Sequence, residues 1–287
     1  MEGEIYKMRA QTIQIFLPDG SPRSIRLAEF TSGITQIIVI PRNKLEEAKS
    51  REELQNVGIY FLFGSSDDKA KDQVYIGESE NCFERLKQHN AKKDFWNTAL
   101  VVISKTNSLT KSYIKYLEHF TYKKAKEVGR YEVENSMIPK ESHISEWMQA
   151  DLMHVFEEIK TLIGTLGYPL FEKLHEASTK QEEVLTCKGK EAYATGEYTD
   201  DGFVVFKGSK ANVEEARTAG ASVINMRKKL LNSDIVVQKE NVYLFKEDYI
   251  FNSPSAAAAA VLGRRANGWT EWKDNDGHTL DKLKRQN

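Results

Sequence analysis

Two short apolar runs, Gly58 to Phe63 and Val74 to Gly77, flank a polar loop from Ser65 to Gln73. Runs of this length are extended, and two so close in the chain pair as an antiparallel hairpin with a long connection. The next segment restricts the fold further. Ser79 to His89 reads as a helix with Ser79, Glu80 or Asn81 near its cap and Phe83 and Leu86 on its apolar face. Leu100 to Ser104 is a third strand, and Thr110 to Val128 a second helix that Gly129 ends. The fold class is α+β.

Upstream, residues 12 to 41 read as short strands. Thr12 to Leu17 alternates, Pro18-Asp19-Gly20 turns, and Gln36 to Ile40 is a buried run. Lys44 to Leu54 has the look of a short polar helix. Downstream, Ile144, Met148, Leu152, Val155, Ile159, Leu162 and Leu166 recur at spacings of three and four, which makes a long amphipathic helix. It reads as a connector between domains, with a homodimer through residues 144–166 as the second reading. From Glu183 strands and turns return: Val184 to Lys188, Ala192 to Glu197, Gly202 to Lys207 and Val242 to Tyr249. Short helices are expected at Asn212 to Ala219 and Val223 to Leu231, and Ser253-Pro254-Ser255 caps an alanine helix ending near Gly263. The expected organisation is a β-rich N-terminal segment (1–54), a first domain (55–138), a helical connector (139–182) and a small α+β C-terminal domain (183–287).

Composition narrows the classes of function. With 40% hydrophobic and 29% charged residues among 287, the chain can bury a real core. Cys82 and Cys187 are too few for a disulfide framework or a four-ligand zinc site. No run of about 18 apolar residues suits a membrane span, and Met1 to Ala10, with Glu2 and Glu4, lacks a signal-peptide core. A cytoplasmic location without membrane association is expected. The net charge of −1 argues against a nucleic-acid partner until its distribution is read. Between Arg85 and Lys126 ten basic residues, among them Lys87, Lys92 and Lys93, face only Asp94 and Glu118, a local charge of +8. The stretch from Glu141 to Glu183 is acidic. The basic segment is either a solvated lysine face or a phosphate-binding one.

Glu118 carries the most information about chemistry. The helix stripe Ile114, Glu118, Thr121 and Ala125 puts a carboxylate on or beside an inward face, where an unpaired charge is expensive. A lysine or arginine partner would explain it, and so would a hard divalent cation, which can sit on one carboxylate and keep waters and substrate oxygens. Tyr60 and Tyr75 lie on the paired strands, where their phenols can approach each other. Arg85 and His89, four apart, share one helix face. Phosphodiester cleavage needs a base for water, a cation for the pentavalent phosphate and a metal for an oxygen. These parts occur here in order.

Gly58-Ile59-Tyr60 and Tyr75-Ile76-Gly77, followed by Arg85, His89, Glu118 and Asn135, resemble the GIY-YIG nuclease family. The resemblance covers about 80 residues. It implies a three-stranded antiparallel sheet flanked by helices, and hydrolysis of DNA with one divalent metal, Mg²⁺ or Mn²⁺, per site. By resemblance Glu118 binds the metal, Arg85 stabilises the phosphate, and Tyr60 and Tyr75 are the catalytic tyrosines, one of which acts as or positions the base. An ordinary phenol has a pKa of about 10, so ionising it at neutral pH costs roughly 4 kcal/mol unless cations lower it. His89 and Asn135 complete the catalytic set, Asn135 ordering the site or contacting substrate. The loop Ser65 to Gln73 is longer than in many members; it either rims the DNA or is a passive insertion.

Ser253-Pro254-Ser255-Ala256-Ala257, Gly268 to Trp272 and Asp276-Gly277 are similar to a domain of poorly known function found behind such nucleases, and to restriction and adenine-methylation associated domains. That likeness implies DNA targeting, with Arg264 and Arg265 on phosphates and Trp269 and Trp272 framing a base; the tryptophans are otherwise core. The expected activity is a DNA endonuclease in restriction, defence, mobile-element or repair biology. The alternative is a non-catalytic DNA-binding module that keeps the nuclease fold.

Overall fold

The computed structural model describes residues 10–175 and 184–286. Residues 1–9, where no signal-peptide core is expected, and residues 176–183, where the connector is expected to end, lie outside the described residues. The chain divides into two compact units. One comprises the residues up to Ser65 with Asp72–Glu172, and the other Ser66–Lys71 with the residues from Lys173 on. No helix among the described residues is long and apolar enough to cross a membrane.

The first unit opens with β1 (Ile13–Phe16), β2 (Arg26–Phe30) and β3 (Thr35–Pro41). Where a short polar helix is expected from Lys44 to Leu54, residues 42–55 form three 3-10 turns instead. The backbone is extended at Arg51, between the second and third turns, so Leu45, Ala48 and Leu54 reach the core from separate turns and not from one helical face. Then come β4 (Gly58–Gly64), β5 (Gln73–Ser79), α1 (Cys82–Lys92), β6 (Trp96–Ser104), α2 (Lys111–Val128), β7 (Glu132–Val133) and α3 (Glu146–Thr165). Asn81 caps α1 by accepting from the Glu84 N–H, Thr110 caps α2, and Gly129 closes α2 in the left-handed region.

The expected three-stranded sheet is the middle of a larger one. The order is β1-β2-β3-β6-β4-β5-β7, antiparallel except where β7 runs parallel to β5. The N-terminal strands are therefore part of the same sheet: β3 pairs with β6 from Thr35↔Ser104 to Pro41↔Thr98. The reason is legible in β6, whose residues 99–104 are all buried; a run apolar on both faces cannot serve as an edge.

Side chains divide between the two faces. Ile59, Phe61, Phe63, Val74 and Ile76 pack under α2 and α3, and Tyr60, Leu62, Ile38 and Val101 pack against Phe83 and Leu86 of α1 and the 3-10 turns. The stripe of α3 is spent here: Leu152, Val155, Phe156, Ile159, Leu162 and Ile163 lie in the core with Phe61 and Phe171. This corrects the reading of residues 144–166 as a connector or dimer seam. The sheet, widened by β1 to β3, offers an apolar face that the helix covers.

The second unit is an antiparallel sheet with helices. Its strands are β8 (Leu185–Lys188), β9 (Tyr193–Thr199), β10 (Gly202–Val205), β11 (Lys210–Asn212), β12 (Val236–Lys239), β13 (Val242–Phe245) and β14 (Tyr249–Phe251). Its helices are α4 (Gly220–Asn232), α5 (Pro254–Leu262), α6 (Gly268–Glu271) and α7 (Leu280–Arg285). The helix expected at 212–219 does not form. Asn212 is held extended, its side chain accepting from Glu191 N–H (3.0 Å) and donating to the Leu262 carbonyl (3.0 Å), while its own carbonyl accepts from Arg227. The alanine run is a core helix, capped by Ser253 and ended by Gly263 at φ 68°. Its small side chains allow close approach: a Cβ on Gly268 would strike the Pro254 backbone. The hairpin residues 66–71 belong to this unit, where Ala70 N–H donates to Ser233 Oγ (3.0 Å) and Tyr249 donates to the Ala70 carbonyl (2.8 Å).

In the β4–β5 ladder Tyr60 stands opposite Gly77. A Cβ at 77 would overlap the hydroxyl and Cζ of Tyr60. Gly77→Ala is expected to destabilise the first unit by about 1–3 kcal/mol, the usual cost of overpacking a filled core. A lowered urea midpoint, followed by the fluorescence of the first unit, measures it.

Candidate active site

Because Tyr60 pairs with Gly77, Tyr75 is its diagonal neighbour on the same face, and the two rings stack with centroids 6.3 Å apart. Helix α1 lies over that face. Arg85 and His89, one turn apart on it, both reach the Tyr60 hydroxyl: Arg85 Nε donates to it at 3.3 Å, and His89 Nε2 is 2.8 Å from it. The His89 ring lies 4.8 Å from that of Tyr75, and Lys93 Nζ sits 4.4 Å from the Tyr75 ring centre. Arg85 is anchored a second time by donating to Gln88 Oε1 at 3.0 Å.

The electrostatics assign the protons. Burial, with the Tyr75 phenol next to it, pushes the Tyr60 phenol far above its ordinary value, and Arg85 only partly opposes that shift. Burial and the charges of Arg85, Lys93 and Lys92 push His89 down to about 4, so the imidazole is neutral at pH 7. The hydrogen bonds to the Tyr60 and Tyr75 hydroxyls raise Arg85 further. The neutral His89 ring and the Tyr60 hydroxyl share one hydrogen bond, and the same oxygen accepts from Arg85. Tyr60 is thus fully buried and held as a phenol, whereas Tyr75 is half-exposed.

Glu118 stands half-buried on α2, whose neighbours in the stripe, Ile114, Thr121 and Ala125, are buried. Burial, then the carboxylate of Glu78, raises it to about 7, while the Glu78 backbone N–H, Arg85 and Lys115 pull it down. Glu78 was missed in the sequence. It directly follows Gly77 and points to the opposite face of β5 from Tyr75, the face on which α2 packs. The available signal was a carboxylate placed one residue beyond the tripeptide, at the half-buried end of β5.

Residues 56–144 match the family of the GIY-YIG catalytic domain, and residues 185–284 match a domain of unknown function, DUF4357. The chain carries a GIY-YIG catalytic domain followed by a DUF4357 domain. The first implies nuclease-type phosphodiester hydrolysis. No curated protein and no solved structure matches the chain.

Within the GIY-YIG domain Asn135 has a backbone role. Its Nδ2 donates to the Ile76 carbonyl (2.7 Å) and its Oδ1 accepts from the Ile76 N–H (3.0 Å), so one side chain replaces a strand beside the residue between Tyr75 and Gly77. Of the basic segment, Lys105, Lys111 and Lys124 are ion-paired with Glu29, Glu80 and Glu127. Lys87 and Lys92 are exposed on α1 and Lys93 covers Tyr75.

In the DUF4357 domain the structure corrects one expectation. Trp272 is fully buried, its Nε1 donating to the Pro254 carbonyl at 3.0 Å and its ring 4.2 Å from that of Phe203, so it is core and cannot frame a base. Trp269 is half-buried under the Arg285 guanidinium, 3.4 Å from the ring centre. Arg264 is paired with Glu271 at 2.8 Å, and Arg265 is exposed.

Metal-free Glu118 makes a pH-dependent cost. In the unfolded chain it ionises near 4.5 and in the folded chain near 7. Between those values the folded state binds more protons, so its stability falls as pH rises through the window. In EDTA, Glu118→Gln is therefore expected to raise the urea midpoint at pH 8 and leave it nearly unchanged at pH 5. Equal effects at both pH values would count against burial and Glu78 as the cause.

Proposed function

We propose that the protein is a divalent-metal-dependent endonuclease that hydrolyses DNA phosphodiester bonds, with residues 55–138 as its cutting domain. The observation that carries the reading is the convergence of Arg85, two phenols and a strained carboxylate around one end of the β4–β5 hairpin. The donor set fits Mg²⁺ or Mn²⁺. Such ions take one or two carboxylates and fill the remaining positions with water and phosphate oxygens. Glu118, raised by its burial and by Glu78, is a carboxylate that a cation would relieve, and Glu78 is near enough to support it. Bound there, the cation supplies positive charge to the phosphate and its leaving oxygen.

The chain's own groups do the rest. Arg85, twice anchored and exposed, presents a guanidinium in fixed orientation to the non-bridging phosphate oxygens. Tyr75, half-exposed beside it, accepts a hydrogen bond from the attacking water and aligns it. Tyr60 is too deeply buried to ionise, so it positions Arg85 and donates its own proton to His89 in a hydrogen bond. Asn135 fixes the β5 backbone at Ile76 and thereby the aim of Tyr75. Lys87, Lys92 and Lys93 extend the positive surface along the DNA backbone.

Incubation of purified protein with supercoiled and single-stranded DNA in Mg²⁺ or Mn²⁺ tests this. Glu118→Ala and EDTA are expected to abolish nicking, and Arg85→Ala to slow it by roughly 10²–10³, the usual effect of losing one preorganised donor. Tyr75→Phe should cost more than Tyr60→Phe. Cleavage that survives chelation or loss of Glu118 would sink the mechanism. Tight binding with no cleavage would favour the alternative, a binding module.

The DUF4357 domain is the proposed targeting part, through Arg264, Arg265 and Trp269. Arg265→Ala is expected to weaken DNA binding and to lower the salt-dependence slope by about one, as for a lost phosphate contact. A comparison of adenine-methylated with unmodified duplexes, by wild type and Trp269→Ala, checks whether this domain senses base modification.

A further inference from the structure

Two residues beyond Asn135, the GIY-YIG domain holds Met137, followed by Ile138, in water, 80% and 66% exposed. Both ends of this short apolar segment are tied to elements of the active site. Before it, the Asn135 side chain makes two hydrogen bonds to Ile76, between Tyr75 and Gly77. After it, the His119 Nδ1–H donates to the Pro139 carbonyl at 2.7 Å, and His119 directly follows Glu118. His119 is itself buried, with Nε2 3.6 Å from the Glu141 carboxylate. Met137 is two residues from each tether, and successive Cα atoms are ~3.8 Å apart, so its Cα lies within about 8 Å of both. The segment is thus a pinned apolar tip on the rim of the site.

We propose that Met137 and Ile138 form a wedge that enters the stack of duplex DNA beside the bond to be cut. The inference rests on the nuclease reading above. Unbranched or β-branched apolar side chains on a fixed backbone suit insertion between base steps, which partly unstacks and unwinds the duplex. The tethers hold the tip in place before binding, so little conformational freedom is lost when it engages. The charges of the site to which the tip is tethered favour DNA as the occupant: Lys140 follows the tip in the chain, Lys115 is near Glu118, and Lys92 and Lys93 are near His89. Phosphates flanking an opened step would meet these charges. The wedge would also strain the backbone at the phosphate that Arg85 and Glu118 address, which ties recognition to cleavage. A protein seated on the same tip would close off the site that the substrate must reach.

The measurement is the linking number of closed circular plasmid relaxed by a metal-independent topoisomerase, with the protein saturating and Ca²⁺ in place of Mg²⁺. Binding is followed in parallel by gel shift. The wild type should leave the plasmid underwound. Met137→Ser/Ile138→Ser should lose that shift and cleave intact duplex more slowly in Mg²⁺. Phe16→Ser, which removes an equally exposed apolar side chain (61%) at the opposite edge of the sheet, should retain both. All three positions are exposed, so urea midpoints should agree. A wild type that binds and cuts without shifting the linking number, or a double variant that shifts it like wild type, overturns the wedge and leaves the nuclease reading standing. Loss of self-association by the double variant, with linking number and cutting unchanged, would identify a protein contact and also overturn it. A wild type that neither binds nor cuts DNA overturns the nuclease reading and the wedge with it.

Discussion

The site depends on the fit of the Tyr60 ring against the bare backbone of Gly77. Across an antiparallel pair, a full-sized residue facing an aromatic one would hold the two side chains apart. Here the missing Cβ lets the phenol lie flat over β5, and its hydroxyl comes within reach of α1. Arg85 and His89 are then positioned by one oxygen atom. The same register makes Tyr75 the diagonal neighbour, so a single strand alignment sets four of the groups. A slip of β5 by one residue would turn Tyr75 to the α2 face, away from Tyr60, and dissolve the arrangement.

The charges around that oxygen are arranged by depth. Tyr60 lies deepest and stays a phenol; His89, also buried and near three cations, stays neutral; Tyr75 and Arg85 stand at the surface, where a phosphate can approach. Glu118, packed from α2 near Glu78 on the other face of β5, has the opposite problem: a carboxylate with too little water beside a second negative charge. Cationic and anionic groups are therefore separated by one strand.

Much of this could be read from the sequence where a local pattern carries physical meaning. The cap candidates around Asn81, the Ser253 cap and the closing glycines Gly129 and Gly263 marked helix ends, because they answer orphan backbone groups wherever the chain folds. Tertiary partners were another matter. The stripe of α3 looked the same whether it met another domain, another copy or its own sheet. Trp272 beside basic residues looked like a base-stacking residue until Pro254 and Phe203 enclosed it. Asn212 began an apparently helical stretch, yet three side-chain and backbone bonds to distant residues held it extended. Glu78 escaped notice because a glutamate near a strand end normally faces water, and its neighbour Glu118 is forty residues away in the chain. The strand pair β5–β7 is only two residues long and has no periodic signature at all.

The recognisable catalytic segment begins at residue 56, but the sheet does not. Seven residues of β3 are zipped to β6, and α3 closes the face that β2 and β3 widen. Excised alone, the matched segment would leave β6 as an apolar open edge, so any exchange that moved it between proteins would have to carry β1 to β3 along or supply another strand for β6.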